Sequence, residues 1–367
     1  MAGPVVAVVT LVLALVATRV AEVTFRDWQH AVAWRLAQVA CVVALLVVLD
    51  VVVRAARRSR KPRPSWAEIR EVRRERWTAR RLAAVGGALV SFYVTYLAYR
   101  NVKSAVPLLR PDELFDAQLE SVDRAVFGGN DPAALLHSLL GTGIAAEVLA
   151  LVYVAFFYFV LVSLPLALVF SPTPQGGMFY VTALSINWGL GAASYLLLPA
   201  RGPIYAAPGG FADLASTDVT HLQGVLLRQR LEFLRDPMAA DAHQGIAAFA
   251  SLHTSIIFTA AVAAHMLGLH RRLRIGLWVL FALTTASTVY WGWHYVADDL
   301  AGVVIGVAAV ALARVLTGFE ARTAWRRLRS RPSIAERPAA APPVRHIPAT
   351  RPLDAAVTET TSGSDAL

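Results

Sequence analysis

Two histidines, His253 and His294, stand 41 residues apart, and Asp298 follows the second by one helical turn. Their segments read Ala250-Ser251-Leu252-His253 and, from Ser287, Thr-Val-Tyr-Trp-Gly-Trp-His294-Tyr-Val-Ala-Asp298. Residues four apart on a helix share a face, so Asp298 can hold the His294 ring. A carboxylate on one imidazole nitrogen fixes the tautomer and leaves the other nitrogen aimed and basic. A second imidazole can manage the proton of a leaving group, and together these groups suffice for phosphoryl transfer. The competing reading makes them ordinary polar residues: a pair at a helix end, and a satisfied core histidine one turn into an apolar run. Ionisable groups beside a membrane span are costly, which favours chemistry over that reading.

The elements that must position these residues are apolar. The chain has 367 residues, 56% of them hydrophobic and 16% charged, with a mean hydropathy of +0.52. A soluble domain carries about a quarter charged residues, so the apolar excess here calls for lipid. Apolar runs over 4–23, 31–53, 82–99, 148–170, 178–198, 248–268, 275–293 and 295–317 predict eight spans. Continuous runs of this length suit helices and lack the alternation of a barrel. The fold class expected is all-α, a polytopic transmembrane helical bundle of about eight spans.

The formal charge of +10 has a topological explanation rather than a nucleic-acid one. Between Arg54 and Arg81 lie twelve basic and three acidic residues, beside two apolar runs. Such a stretch belongs on the cytoplasmic side of a plasma membrane. Alternation then places 171–177, the basic turn His270-Arg271-Arg272-Leu273-Arg274 and the Arg-rich start of the tail inside, with both termini cytoplasmic. His253, His294 and Asp298 fall together on the extracytoplasmic face, along with two long loops, 100–147 and 199–247. Within the first loop, Leu114 to Phe127 has apolar residues at helical spacing and Gly128-Gly129 behind it, which predicts an interfacial helix ending in a turn. The expected organisation is two N-terminal spans and a basic linker over 1–81, a catalytic membrane domain over 82–317, and a basic then disordered tail over 318–367. The first span is expected to stay uncleaved, and the single Cys41 forms no intrachain disulfide.

Ser251-x-His253 followed by Ser287-x6-His294-x3-Asp298 resembles the second and third signature segments of the type 2 phosphatidic acid phosphatase (lipid phosphate phosphatase) superfamily. The resemblance implies that His294 is a nucleophile forming a phosphohistidine, that Asp298 orients it, and that His253 protonates the leaving oxygen and then activates the acceptor. It also implies a six-helix core and metal-independent chemistry with no cofactor. Departures are visible. Leu252 stands where most members have glycine, and Thr288 where most have an arginine, which removes one bidentate phosphate ligand. These features, with Leu119-x3-Asp123-Arg124-Ala-Val-Phe127-Gly128-Gly129, are similar to the inositolphosphotransferase branch that includes inositol phosphorylceramide synthases.

The family's first segment, a lysine, six residues and then Arg-Pro, supplies phosphate ligands, and two places compete for it. Lys103 to Arg110-Pro111 matches the spelling; Arg201 is the only cation where the segment belongs by position. Arg201, Lys103, Arg110 and Ser251 are therefore the expected phosphate-binding residues, and Arg100 is a weaker candidate. Asp299 points about 100° away from Asp298 on a helix and is expected to be structural. The implied activity is phosphotransfer on a lipid-linked phosphate ester, with a membrane lipid or polyprenyl phosphate as substrate and an inositol-phosphate-type headgroup in transit. Hydrolysis to inorganic phosphate, and a non-enzymatic transporter or scaffold on the same fold, stay open.

Overall fold

The computed structural model describes residues 2–171 and 173–321. The residues between 322 and 367, which hold most of the expected tail, lie outside the described residues. Among the described residues there are thirteen α-helices and no strand. They are α1 (Ala2–Val20), α2 (Ala31–Ser59), α3 (Trp66–Arg76), α4 (Ala79–Leu109), α5 (Asp116–Val126), α6 (Pro132–Leu140) and α7 (Ile144–Phe170). Then follow α8 (Pro174–Leu197), α9 (Pro203–Ala206), α10 (Asp218–Arg235), α11 (Leu252–Met266), α12 (Arg271–Tyr290) and α13 (Val296–Thr317).

Each of the eight apolar runs forms a helix. Six of them, α1, α2, α4, α7, α12 and α13, are long and apolar enough to cross a membrane. Their outward faces carry large apolar side chains, such as Leu151 at 72% and Val304 at 67% exposure, which only lipid tails can cover at low cost. The other two runs differ for physical reasons. α11 has only 15 residues. α8 packs against α1, α4, α7, α11 and α13, so its neighbours are helices. It uses small and polar residues, including Ser185, Asn187 and Ser194, where a lipid-facing helix would use leucine. Asn187 donates to Thr259 on α11 at 3.0 Å and accepts from Ser255, which ties the two helices together. Such bonds hold helices together where hydrophobic contrast with lipid is small.

Helix ends are set by local chemistry. Thr78 caps α4, Asp131 caps α6, Thr173 caps α8 and Ser251 caps α11, each through its side-chain oxygen. At the end of the bundle where α4 begins, the buried carboxylate of Asp50 accepts from Arg54 at 2.7 Å, Arg76 at 2.5 Å and Trp77 at 3.1 Å. This network pins α2 and α3 to the start of α4.

Candidate active site

The two histidines converge because α11 starts hard against α13. A Cβ at Gly302 would collide with the carbonyl of Ser251, so only glycine allows this approach. The Ser251 N–H then donates to the Asp298 carbonyl at 3.0 Å. Asp299 secures the same corner: its carboxylate accepts from the Thr254 hydroxyl at 2.6 Å and the Thr288 hydroxyl at 3.1 Å, joining α11, α12 and α13. As a result the rings of His253 and His294 lie 5.7 Å apart, centroid to centroid.

His294 sits in the short link between α12 and α13, 5% exposed. Its Nδ1 is 3.3 Å from Asp298 Oδ2, and that same oxygen accepts the Tyr295 N–H at 3.0 Å. With Nδ1 turned to Asp298, Nε2 is the nitrogen left to meet phosphorus. Burial drives the His294 pKa down to about 4; the Asp299 carboxylate and the Ala248 backbone oppose this, and Lys103 adds to the fall. The ring is therefore neutral at neutral pH, with a lone pair to offer. His253 is held between aromatic rings, 4.8 Å from Tyr153 and 4.2 Å from Phe156, and its Nε2 is buried with no hydrogen-bond partner.

Both histidines line one cavity of about 320 Å3. Its polar lining includes Lys103, Arg100, Arg201, Arg35 and Gln229, and its apolar walls include Phe92, Tyr96, Phe157, Val160 and Trp188, with Arg35 donating to the Tyr96 hydroxyl. No carboxylate lines it among the described residues. Arg201 and Arg100 each have a carboxylate behind them, Asp116 at 3.8 Å and Asp27 at 4.0 Å. A neutral imidazole with an oriented partner, a second imidazole within reach of the same phosphate, and a lining that holds cations and no acid form a site for a phosphate ester.

Residues 117–312, more than half of the chain, match the PAP2 superfamily. The chain belongs to that superfamily. No curated protein and no solved structure matches it. PAP2 membership implies a metal-independent phosphatase-type enzyme acting on a lipid-type phosphate ester. The chain is a multi-pass membrane protein with six candidate spans.

The PAP2 fold brings some of the expected phosphate ligands together and leaves others apart. Lys103 projects from α4 into the cavity, its Nζ 5.2 Å from the Tyr195 ring and 5.8 Å from the Tyr99 ring. Arg201 also lines the cavity, with its nearest carboxylate, Asp116, 3.8 Å away. Arg110 does not line it: its guanidinium binds the Leu196 carbonyl at 2.8 Å and pairs with Glu113. Ser251 is fully buried and spends its side chain on capping α11 and on Thr254. Thr288, which stands at the position of the usual PAP2 arginine, is likewise buried and turned to Asp299.

Other residues at the site escaped sequence reasoning. Arg35 and Trp28 reach the cavity from the N-terminal segment, ahead of the matched PAP2 region. Gln244 accepts from the Ile246 N–H at 2.8 Å and donates to the Lys103 carbonyl at 2.5 Å, fastening a loop to α4 beside the cation. Asp116 and Asp123 on α5 hold backbone on either side of the dyad. α5 is the expected interfacial helix, and its apolar Val122 and Val126 are indeed exposed while the two acids face the bundle. The signal for them was their spacing, seven apart on the stripe of Leu119, which puts a carboxylate pair on one helix face.

Proposed function

We propose that this PAP2 protein is a phosphotransferase that passes the phospho-headgroup of a membrane lipid, of inositol-phosphate type, to an alcohol acceptor through a phosphohistidine at His294. The observation that carries this reading is the pair of imidazoles 5.7 Å apart on one cavity lined by cations and aromatic rings. The reaction runs in two steps. His294 Nε2 attacks phosphorus, the bond to the leaving oxygen breaks, and His253 gives that oxygen its proton. Then His253 takes the proton of the acceptor hydroxyl, the acceptor oxygen attacks phosphorus, and the P–N bond breaks.

Lys103 and Arg201 balance charge on the equatorial oxygens. Lys103 stands in for the arginine that Thr288 lacks, and it comes from outside the matched PAP2 segment. Phe92 lies eleven residues before Lys103 on α4, so the aromatic wall of the cavity extends roughly 16 Å along that helix at 1.5 Å per residue. A lipid chain fits there, and its apolar lining keeps bulk water from the phosphohistidine, which favours an alcohol as acceptor. The basic Arg54–Arg81 stretch belongs to the other end of the bundle: Thr78 and Lys103 are separated by roughly 37 Å of helix. With that stretch cytoplasmic, the site faces the extracytoplasmic leaflet.

The test is turnover of a headgroup-labelled phosphoinositide in the presence of long-chain alcohols. Label recovered on the alcohol supports transfer. Label recovered only as free inositol phosphate or inorganic phosphate overturns transfer in favour of hydrolysis. Equal turnover by His294→Ala overturns the phosphohistidine at His294, and no turnover by the native protein leaves a non-enzymatic role on this fold.

A further inference from the structure

α5 is a short helix with an unusual buried face. Asp116 and Asp123 lie two turns apart on it, 6% and 4% exposed, and neither lines the cavity of the two histidines. Asp116 accepts from the backbone N–H of Arg201 at 3.0 Å, of Gly202 at 2.8 Å, and from the Tyr295 hydroxyl at 3.2 Å. Asp123 accepts from the N–H of Val296 at 2.7 Å and of Ala297 at 3.0 Å. Val296 and Ala297 open α13, where a helix has donors with no partner of its own, so Asp123 serves as a cap supplied by a different helix. Between the two acids, Leu119 packs on Ala200, Ala248 and Tyr295.

Every one of these contacts reaches a segment that presents a residue to the phosphate. Asp116 grips the loop of Arg201. Asp123 grips the turn between His294 and Asp298. Gly202, at φ +96°, passes so close to the Trp293 carbonyl that no side chain fits, so the two segments also touch directly. Burial raises the Asp123 pKa, and the two bonds from α13 oppose it. A carboxylate kept out of water in this way is held for what it binds.

We propose that α5 is a positioning strut, in which Asp116 and Asp123 fix the distance between Arg201 and the His294–Asp298 pair that the transferred phosphate requires. The proposal rests on the reading of those residues given above, and goes beyond it by assigning roles to two acids that never meet substrate. A purely stabilising role makes a different prediction: fewer folded molecules, each with native kinetics.

The experiment compares Asp123→Ala, Asp123→Asn and Asp116→Ala with the native protein and with His294→Ala, all as full chains in detergent and normalised to the folded fraction. The readouts are kcat and KM for a short-chain phosphoinositide with an alcohol acceptor, and the affinity for orthovanadate, which adopts the five-coordinate geometry of phosphate in flight. Per folded molecule, Asp123→Ala is expected to lower kcat about 100-fold with KM within about twofold, since misplacement of about 1 Å costs that much. Asp123→Asn, whose single amide oxygen accepts one of the two N–H groups that the native carboxylate takes on separate oxygens, restores part of the loss. Asp116→Ala, by releasing Arg201, weakens vanadate about tenfold. Native kcat and vanadate affinity per folded molecule in both alanine variants overturn the strut while His294→Ala stays inactive. An active His294→Ala overturns the catalytic reading, and the strut with it.

Discussion

The rings of His253 and His294 lie 5.7 Å apart although 41 residues and a full helical hairpin separate them. Their meeting depends on backbone more than on the side chains themselves. Gly302 lets the N-terminus of α11 rest on α13, and Ser251 N–H then bonds the carbonyl of Asp298.

That dependence can be measured with glycine variants. Gly302→Val forces a side chain into the Ser251 carbonyl, moves α11 outward and separates the histidines. It is expected to cost about 100-fold in kcat and about 1–3 kcal/mol in stability. Gly86→Ala on α4 is the control, because a Cβ there meets nothing within 4 Å. It is expected to leave activity intact and to raise stability by about 0.5–1 kcal/mol, read from thermal unfolding in detergent.

The cations should separate by position rather than by motif. Lys103→Gln and Arg201→Gln are each expected to lower kcat/KM about 10- to 100-fold, as loss of a charge-assisted phosphate contact does. Arg110→Gln, whose guanidinium is committed to the Leu196 carbonyl and Glu113 outside the cavity, is expected to change it less than about threefold. A large loss from Arg110→Gln alone contradicts the assignment.

The pH dependence follows from His294. Burial lowers its pKa to about 4 in the folded protein, below its ordinary value of 6.5. Attack needs the neutral ring, so activity is retained as pH falls past 6.5 and is lost only as it falls through about 4. The acid limb of kcat/KM against pH reports the free enzyme and checks this directly. An acid limb near 6.5 that shifts on Asp299→Asn contradicts the assignment of the low value to the buried ring.

Asp50 provides a structural counterpart far from the chemistry. Asp50→Ala leaves Arg76 and Trp77 without their shared acceptor and is expected to cost about 3 kcal/mol. Turnover per folded molecule should stay native, because the network lies at the opposite end of α4 from Lys103.

Much of this architecture is legible in the sequence because membrane helices are written as local apolar runs. The His294–Asp298 pair was legible as a contact of four residues, although His294 precedes α13 and does not share its helical face. What was not legible depended on contacts across the fold. Lys103 and Arg110 match a motif equally well, yet α4 ends at Leu109, and Arg110, at φ −132° and ψ 64°, leaves the helix direction and turns to other partners. Asp116 and Asp123 are placed by their spacing on the helix face of Leu119, but spacing does not name what they bind. Only the fold shows that their acceptor oxygens meet backbone N–H groups 85 and 173 residues away. The polar make-up of α8 likewise made sense only once its neighbours were seen to be helices rather than lipid.

The central claim is that phosphate passes through a covalent bond to His294, and acid-labile, alkali-stable phosphohistidine is the species to look for. Native protein and His253→Ala, mixed with a phosphate-labelled lipid donor and quenched in alkali within the first turnover, should both carry label that maps to His294. In His253→Ala, which lacks the acid for the first step and the base for the second, the label should form more slowly and last longer. Turnover by the native protein with no label on His294, or label on another residue, contradicts the account.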